Sequence, residues 1–241
     1  MKLMELNRID GFLLFNFLAI DKENAEEIME AGKGFVVPGI VSSDFVNIED
    51  GVKKVNELKE VAKVVSIGLG DNGNPANWEK VLKIAEGSEP GHINQPFDKT
   101  SYSLGYLNAK GIHQVVNGLV APSGTVGFVT LSTGVEMKVE VLVDLAVAMG
   151  IESIKFMPLK GKTHLEELVY LCKVAAEKGL KAIEPAGGIS SENIVEIVNS
   201  VRPTGIPVFM PHVFGSTIHK ETGRTIPEEV EKIITLVMED V

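Results

Sequence analysis

The chain has 241 residues, 44% of them hydrophobic, a mean hydropathy of +0.16, a formal net charge of -10 and a pI near 5.1. That size and apolar content suffice for one domain over residues 1–241, and the acidic balance excludes nucleic acid and anionic membrane as main partners, because both select basic surfaces. A single cysteine, Cys172, excludes an intrachain disulfide and a cysteine-rich zinc site, which fits a reducing compartment and makes the cytoplasm the expected location.

The first apolar stretch, GFLLFNFLAI at 11–20, is too short to span a bilayer, contains Asn16, is flanked by acidic residues and lacks a small-residue cleavage site. It reads as a buried strand. From there short apolar runs alternate with amphipathic stretches: 11–18 with 22–32, 34–40 with 49–61, 63–69 with 75–87 and 91–94 with 98–110. The rhythm continues as 114–121 with 137–149, 151–157 with 163–178, 180–184 with 190–200 and 206–211 with 227–239. Apolar runs without alternation suit parallel strands covered on both faces, joined by right-handed helical crossovers. Eight such units in this length predict an α/β fold of the (β/α)8 TIM-barrel type in a single domain. A doubly wound open sheet is the runner-up; it loses ground because no glycine-rich dinucleotide fingerprint follows the first strand. SSEN at 190–193 and KTHLEE at 162–167 carry N-cap signals, so the seventh helix is expected to begin around Ser190. The long connection 122–137 reads as a hairpin or an active-site loop.

A barrel gathers its chemistry at the C-terminal ends of the strands. Asn16, Asp71, His92, Asn94, Lys155, Glu184 and His212 fall there, and Lys155 stands inside an apolar run, IESIKFMP. An ammonium in such a place needs either a carboxylate partner, Glu184 or Asp71, or a chemical use. The chemical use is concrete: desolvation favours the neutral amine, which attacks a ketone to form a Schiff base. Period-2 alternation directs Lys155 and Glu184 to the same inner face of adjacent strands, a nucleophile beside a proton shuttle. PAGGIS at 185–190 and FGS at 214–216 follow the last two strands, where backbone N–H groups of Gly187, Gly188, Gly215 and Ser216 can meet a phosphate.

IKFMP followed by IEPAGGIS resembles the class I aldolases of 2-keto-3-deoxy-6-phosphogluconate, and FVVPGIVSSDF, GLGDNGNPANW and PGHINQPF resemble the branch associated with glucosaminate and related sugar acids. The resemblance covers most of the chain. It implies a Schiff base on Lys155, a phosphate near Gly187, Gly188 and Ser216, pyruvate and a sugar acid phosphate as small-molecule partners, a homo-oligomer, and no metal or other cofactor. Two departures stand out. Ala186 replaces a threonine that holds the pyruvate carboxylate in those aldolases, and GFVVPGIV lacks their early-strand glutamate base. Glu184 is the first candidate for the base, with Asp71 and His92 behind it. A competing reading is a metal-dependent aldolase or sugar-phosphate epimerase using Asp71, His92, Glu184 and His212 around a divalent cation. A second is a non-catalytic sugar-phosphate binding protein, which would have no need for Lys155.

Overall fold

In a computed structural model, which describes residues 3–240, the chain forms a parallel barrel ringed by helices. The first half runs β1 (Phe15–Leu18), α1 (Lys22–Ala31), β2 (Val36–Val41), α2 (Ile48–Leu58), β3 (Val65–Gly68), α3 (Trp78–Ser88), β4 (Gly91–Pro96) and α4 (Phe97–Ala109). The second half begins with β5 (Val115–Pro122), the hairpin β6 (Phe128–Thr130) and β7 (Glu136–Lys138), α5 (Val139–Ala148) and β8 (Ser153–Phe156). It ends with α6 (Leu165–Lys178), β9 (Ala182–Pro185), α7 (Ile194–Val201), β10 (Val208–Phe209) and α8 (Pro227–Glu239). Parallel pairing follows the order β1-β2-β3-β4-β5-β8-β9-β10. Parallel bridges Leu13↔Phe209 and Asn16↔His212, with the Asn16 N–H donating to Pro211 O at 3.0 Å, join the last strand to the first. All eight expected strand–helix units are present, and the sheet closes.

Alternation divides each strand between two environments. Phe17, Ile67, Ile93, Ile154, Phe156, Ile183 and Phe209 point outward into the core between barrel and helices. The inward residues change character along the axis. At the N-terminal end Leu14, Val37, Val64, Val115, Val208 and Met210 pack around Leu3, which plugs the barrel. Above that plug lie Ser66, His92, Asn94, Asn117, Ser153, Lys155 and Glu184, all buried. Cut off from water, these polar groups have to satisfy one another.

Pro38 and Gly39 sit inside β2, where a central strand normally rejects both. The interior explains the glycine: a Cβ there would come 3.0 Å from Asn16 Nδ2 and 3.1 Å from Ser66 O. Its absence leaves room for Asn16, whose Nδ2 donates to Val37 O at 2.8 Å.

The long connection is a hairpin that adds antiparallel to the end of β5, and Glu167 pins it by accepting the N–H groups of Ser123 at 3.0 Å and Gly124 at 3.1 Å. One helix start differs from expectation. α7 begins at Ile194 because the Ser190 N–H donates to Asn193 Oδ1 at 3.0 Å, a local turn that keeps 190–193 out of the helix. Among the described residues no helix is long and apolar enough to cross a membrane.

Candidate active site

β8 and β9 pair with Lys155 opposite Glu184. Even so, no ion pair joins the two among the described residues. The Lys155 Nζ donates to Asn94 Oδ1 at 2.9 Å and to His212 Nδ1 at 3.1 Å. Glu184 is taken up elsewhere: Oε1 accepts from His92 Nε2 at 3.0 Å and from the Ser153 hydroxyl, while Oε2 accepts from His212 Nε2 at 2.8 Å and Asn117 Nδ2 at 2.9 Å. Four donors satisfy the carboxylate. Glu184 therefore reaches the amine through His212, an imidazole three residues past the end of β10 whose backbone bridges in parallel to both Asn16 and Ala186.

The charges follow from this wiring. Burial pushes the Lys155 ammonium down to about 8, against the opposing charge of Glu184. Burial, helped by the Lys155 charge, pushes the His212 imidazole down to about 3 despite its bond to Glu184. Burial would raise the Glu184 carboxyl, but His92 and His212 outweigh it and hold the group well below the usual carboxylate range. At neutral pH His212 is thus a neutral ring that donates Nε2–H to the carboxylate and offers its bare Nδ1 to Lys155. Asn94 is oriented just as firmly: Nδ2 donates to Ile67 O at 2.9 Å, and Oδ1 faces both Lys155 and Asn117 Nδ2, the latter at 2.9 Å. With two N–H bonds of a neutral Lys155 amine held by Asn94 and His212, its lone pair is left for the open side.

That side is a cavity of about 380 Å³ at the C-terminal mouth, where Lys155 meets Asn94, Leu119, Met157 and Phe214 and, on the opposite wall, Ser43, Asp44 and residues 68–73. Phe214 stacks over the amine with its ring centre 6.0 Å from Nζ. A larger groove of about 900 Å³ runs between α2 and α3, outside the barrel and remote from these groups.

The sequence-derived candidates divide by position. Lys155, Glu184 and His92 belong to one buried network. Asp71 lines the cavity from its exposed rim and accepts from Asn77 Nδ2 at 3.0 Å. Gly187, Gly188, Gly215 and Ser216 do not line the cavity; Gly215 and Ser216 directly follow its lining residue Phe214 in the chain. Gly188 has φ +74, and a Cβ on it would lie 2.5 Å from Gly161 N, so the loop after β8 packs directly on the glycine pair. Gly215 faces open space, and its N–H and that of Ser216 have no protein acceptor among the described residues. The ligand set of the metal-dependent reading is not assembled: among the described residues no three His, Cys, Asp or Glu are grouped as a metal ion requires. The hairpin after β5 contributes nothing to the cavity lining. Sequence reasoning missed Ser66, Asn117 and Ser153, neutral inward residues distinguished only by strand alternation, and Asp44.

Residues 9–221 match a family model described as KDGP aldolase. The chain is 36% identical over 244 residues to a 2-dehydro-3-deoxy-phosphogluconate aldolase from Salmonella typhimurium, with 98% of each chain covered. A thiamine phosphate pyrophosphorylase from Pyrococcus furiosus shares the fold with a TM-score of 0.56 at 11% identity, covering 95% of this chain and 97% of that one. FabK from Thermotoga maritima gives a TM-score of 0.54 at 12% identity over 87% of this chain, which spans 59% of FabK. The carboxyl transferase domain of Rhizobium etli pyruvate carboxylase gives 0.56 at 13% identity over 96% of this chain, which spans 48% of that structure. Identities this low speak to the barrel alone.

Proposed function

The chain belongs to the KDGP aldolase family, and on that premise we propose that it cleaves 2-keto-3-deoxy-6-phosphogluconate, or a closely related 2-keto-3-deoxy sugar acid phosphate, through a Schiff base on Lys155. The products are pyruvate and glyceraldehyde 3-phosphate. One observation carries the assignment: Lys155 is a buried amine, lowered to about 8, whose two protein acceptors leave its remaining valence toward the cavity. At pH 7 roughly 10% of such an amine is neutral and nucleophilic.

In this reading the network under the lysine moves protons. As the amine adds to the keto carbon, its surplus proton passes to His212 Nδ1, and the resulting imidazolium is stabilised by Glu184, which already holds Nε2–H. Glu184 is the outer member of the relay, held in place by His92, Ser153 and Asn117. The substrate phosphate lies beyond Phe214, against the N–H groups of Gly215 and Ser216 and near Gly187 and Gly188. Two features support that side: Lys155 is the one cation lining the cavity among the described residues, and its opposite wall carries Asp44 and Asp71, which repel a phosphate. A cytoplasmic homo-oligomer belongs to the same proposal.

The test is Lys155→Arg. A guanidinium stays protonated and cannot condense with a ketone, so pyruvate release from the sugar acid phosphate is expected to vanish, and native turnover to survive EDTA. Turnover by Lys155→Arg near the native rate contradicts the assignment.

A further inference from the structure

Cleavage of the carbon–carbon bond needs a base that touches the substrate's C4 hydroxyl, and the groups beneath Lys155 are poorly placed for that. Glu184 is fully buried with both oxygens occupied, and both ring nitrogens of His92 and of His212 are engaged. The carboxylates that line the cavity opposite Lys155 are Asp44, on the loop after β2, and Asp71, on the loop after β3. Asp71 is held at the rim by Asn77 within a left-handed turn in which Gly70, Asp71, Asn72 and Gly73 all have positive φ, from +47 to +82. A Cβ at Gly70 would lie 1.9 Å from Ser43 Oγ, so this turn is pressed against the residue beside Asp44.

We infer that Asp44 is the catalytic carboxylate that accepts the C4 hydroxyl proton, with Asp71 beside it as a positioning residue. The inference rests on the Schiff-base reading of Lys155. With the keto carbon bound to Nζ as an iminium, Asp44 takes the C4–OH proton and the oxygen pair becomes the aldehyde C=O. The C3–C4 pair moves into a C2=C3 double bond and neutralises the iminium as an enamine. Asp44 then gives its proton to C3, the iminium reforms, and water hydrolyses it to pyruvate and free lysine. Asp44 suits both transfers, because partial desolvation at the cavity wall and then the Asp71 charge raise its carboxyl above the ordinary aspartate value, against a hydrogen bond from Ser43 that lowers it. The other charges around it are Lys155 across the cavity and Lys80 of α3, whose Nζ is occupied by Phe45 O at 2.8 Å.

The experiment compares native protein, Asp44→Asn, Asp44→Glu and Asp71→Asn in three assays: borohydride trapping with pyruvate, deuterium exchange into the pyruvate methyl group, and sugar acid phosphate cleavage. Asp44→Asn should be trapped like the native protein, while exchange and cleavage fall by about 10²–10⁴. Asp44→Glu should recover part of both. Asp71→Asn should move the acidic limb of the cleavage profile to lower pH, because removing the neighbouring charge eases ionisation of Asp44. Native trapping together with cleavage by Asp44→Asn within about threefold of normal, well short of a lost general base, overturns the assignment of Asp44 alone. A native protein that pyruvate and borohydride do not modify overturns the Lys155 reading and this inference with it.

Discussion

Lys155 is costly to bury, and the sign of that cost can be measured. Its folded value of about 8 lies below the unsupported 10.5, so between those values the unfolded chain binds more protons than the folded one. The penalty is therefore complete below about pH 8 and fades as pH rises toward 10.5. Lys155→Met, which keeps the length and removes the charge, should stabilise the protein by about 1–3 kcal/mol at pH 7, with a smaller gain at pH 10, while abolishing turnover. Thermal melts at the two pH values check this; a destabilised variant at pH 7 would mean that the bonds to Asn94 and His212 outweigh the burial. Lys155 and Glu184 were legible in the sequence because a charged residue in an apolar strand is conspicuous and alternation fixes its face. Their connection was not. His212 joins them from β10's end, across the barrel closure, and sequence adjacency carries no trace of that contact. Asp44 did leave a signal: it is the first acid after the apolar run VVPGIV, at the end of a barrel strand where chemistry collects.

Between strands and helices, the two glycine loops play different parts. Gly187 and Gly188, at φ +100 and +74, admit the loop after β8: Leu159 N–H donates to Ala186 O at 2.7 Å and Gly161 N–H to Gly187 O at 3.1 Å. Gly188→Ala places a Cβ against backbone at 2.5 Å and in a left-handed conformation, so it should cost about 2 kcal/mol or more and weaken pyruvate and phosphorylated ligands alike. Gly215 has open space around it. Gly215→Asp should leave the melting temperature unchanged and pyruvate trapping intact, yet raise KM for the phosphorylated substrate about tenfold or more by charge repulsion. Equal KM values for native and Gly215→Asp would remove the phosphate from this loop. The glycine-rich signature was thus readable as a close approach, but the sequence could not say whether an anion or a neighbouring loop approaches. The start of α7 was misplaced for a similar local reason: Asn193 competes for the Ser190 N–H and delays the helix by one turn.

At the scale of the whole molecule, eight apolar runs without alternation sufficed to read the barrel, because parallel strands buried on both faces leave that pattern in any sequence. The inner polar layer is less visible. Ser66, Asn117 and Ser153 acquire meaning only when closure brings β3, β5 and β8 around one axis above the Leu3 plug. What that layer does to one amine decides the chemistry. Incubation with pyruvate and borohydride, followed by peptide mapping, should leave a reduced pyruvate adduct on Lys155 and an inactive protein. An adduct on the exposed Lys160 or on Lys162 instead, or full activity after treatment, would contradict it.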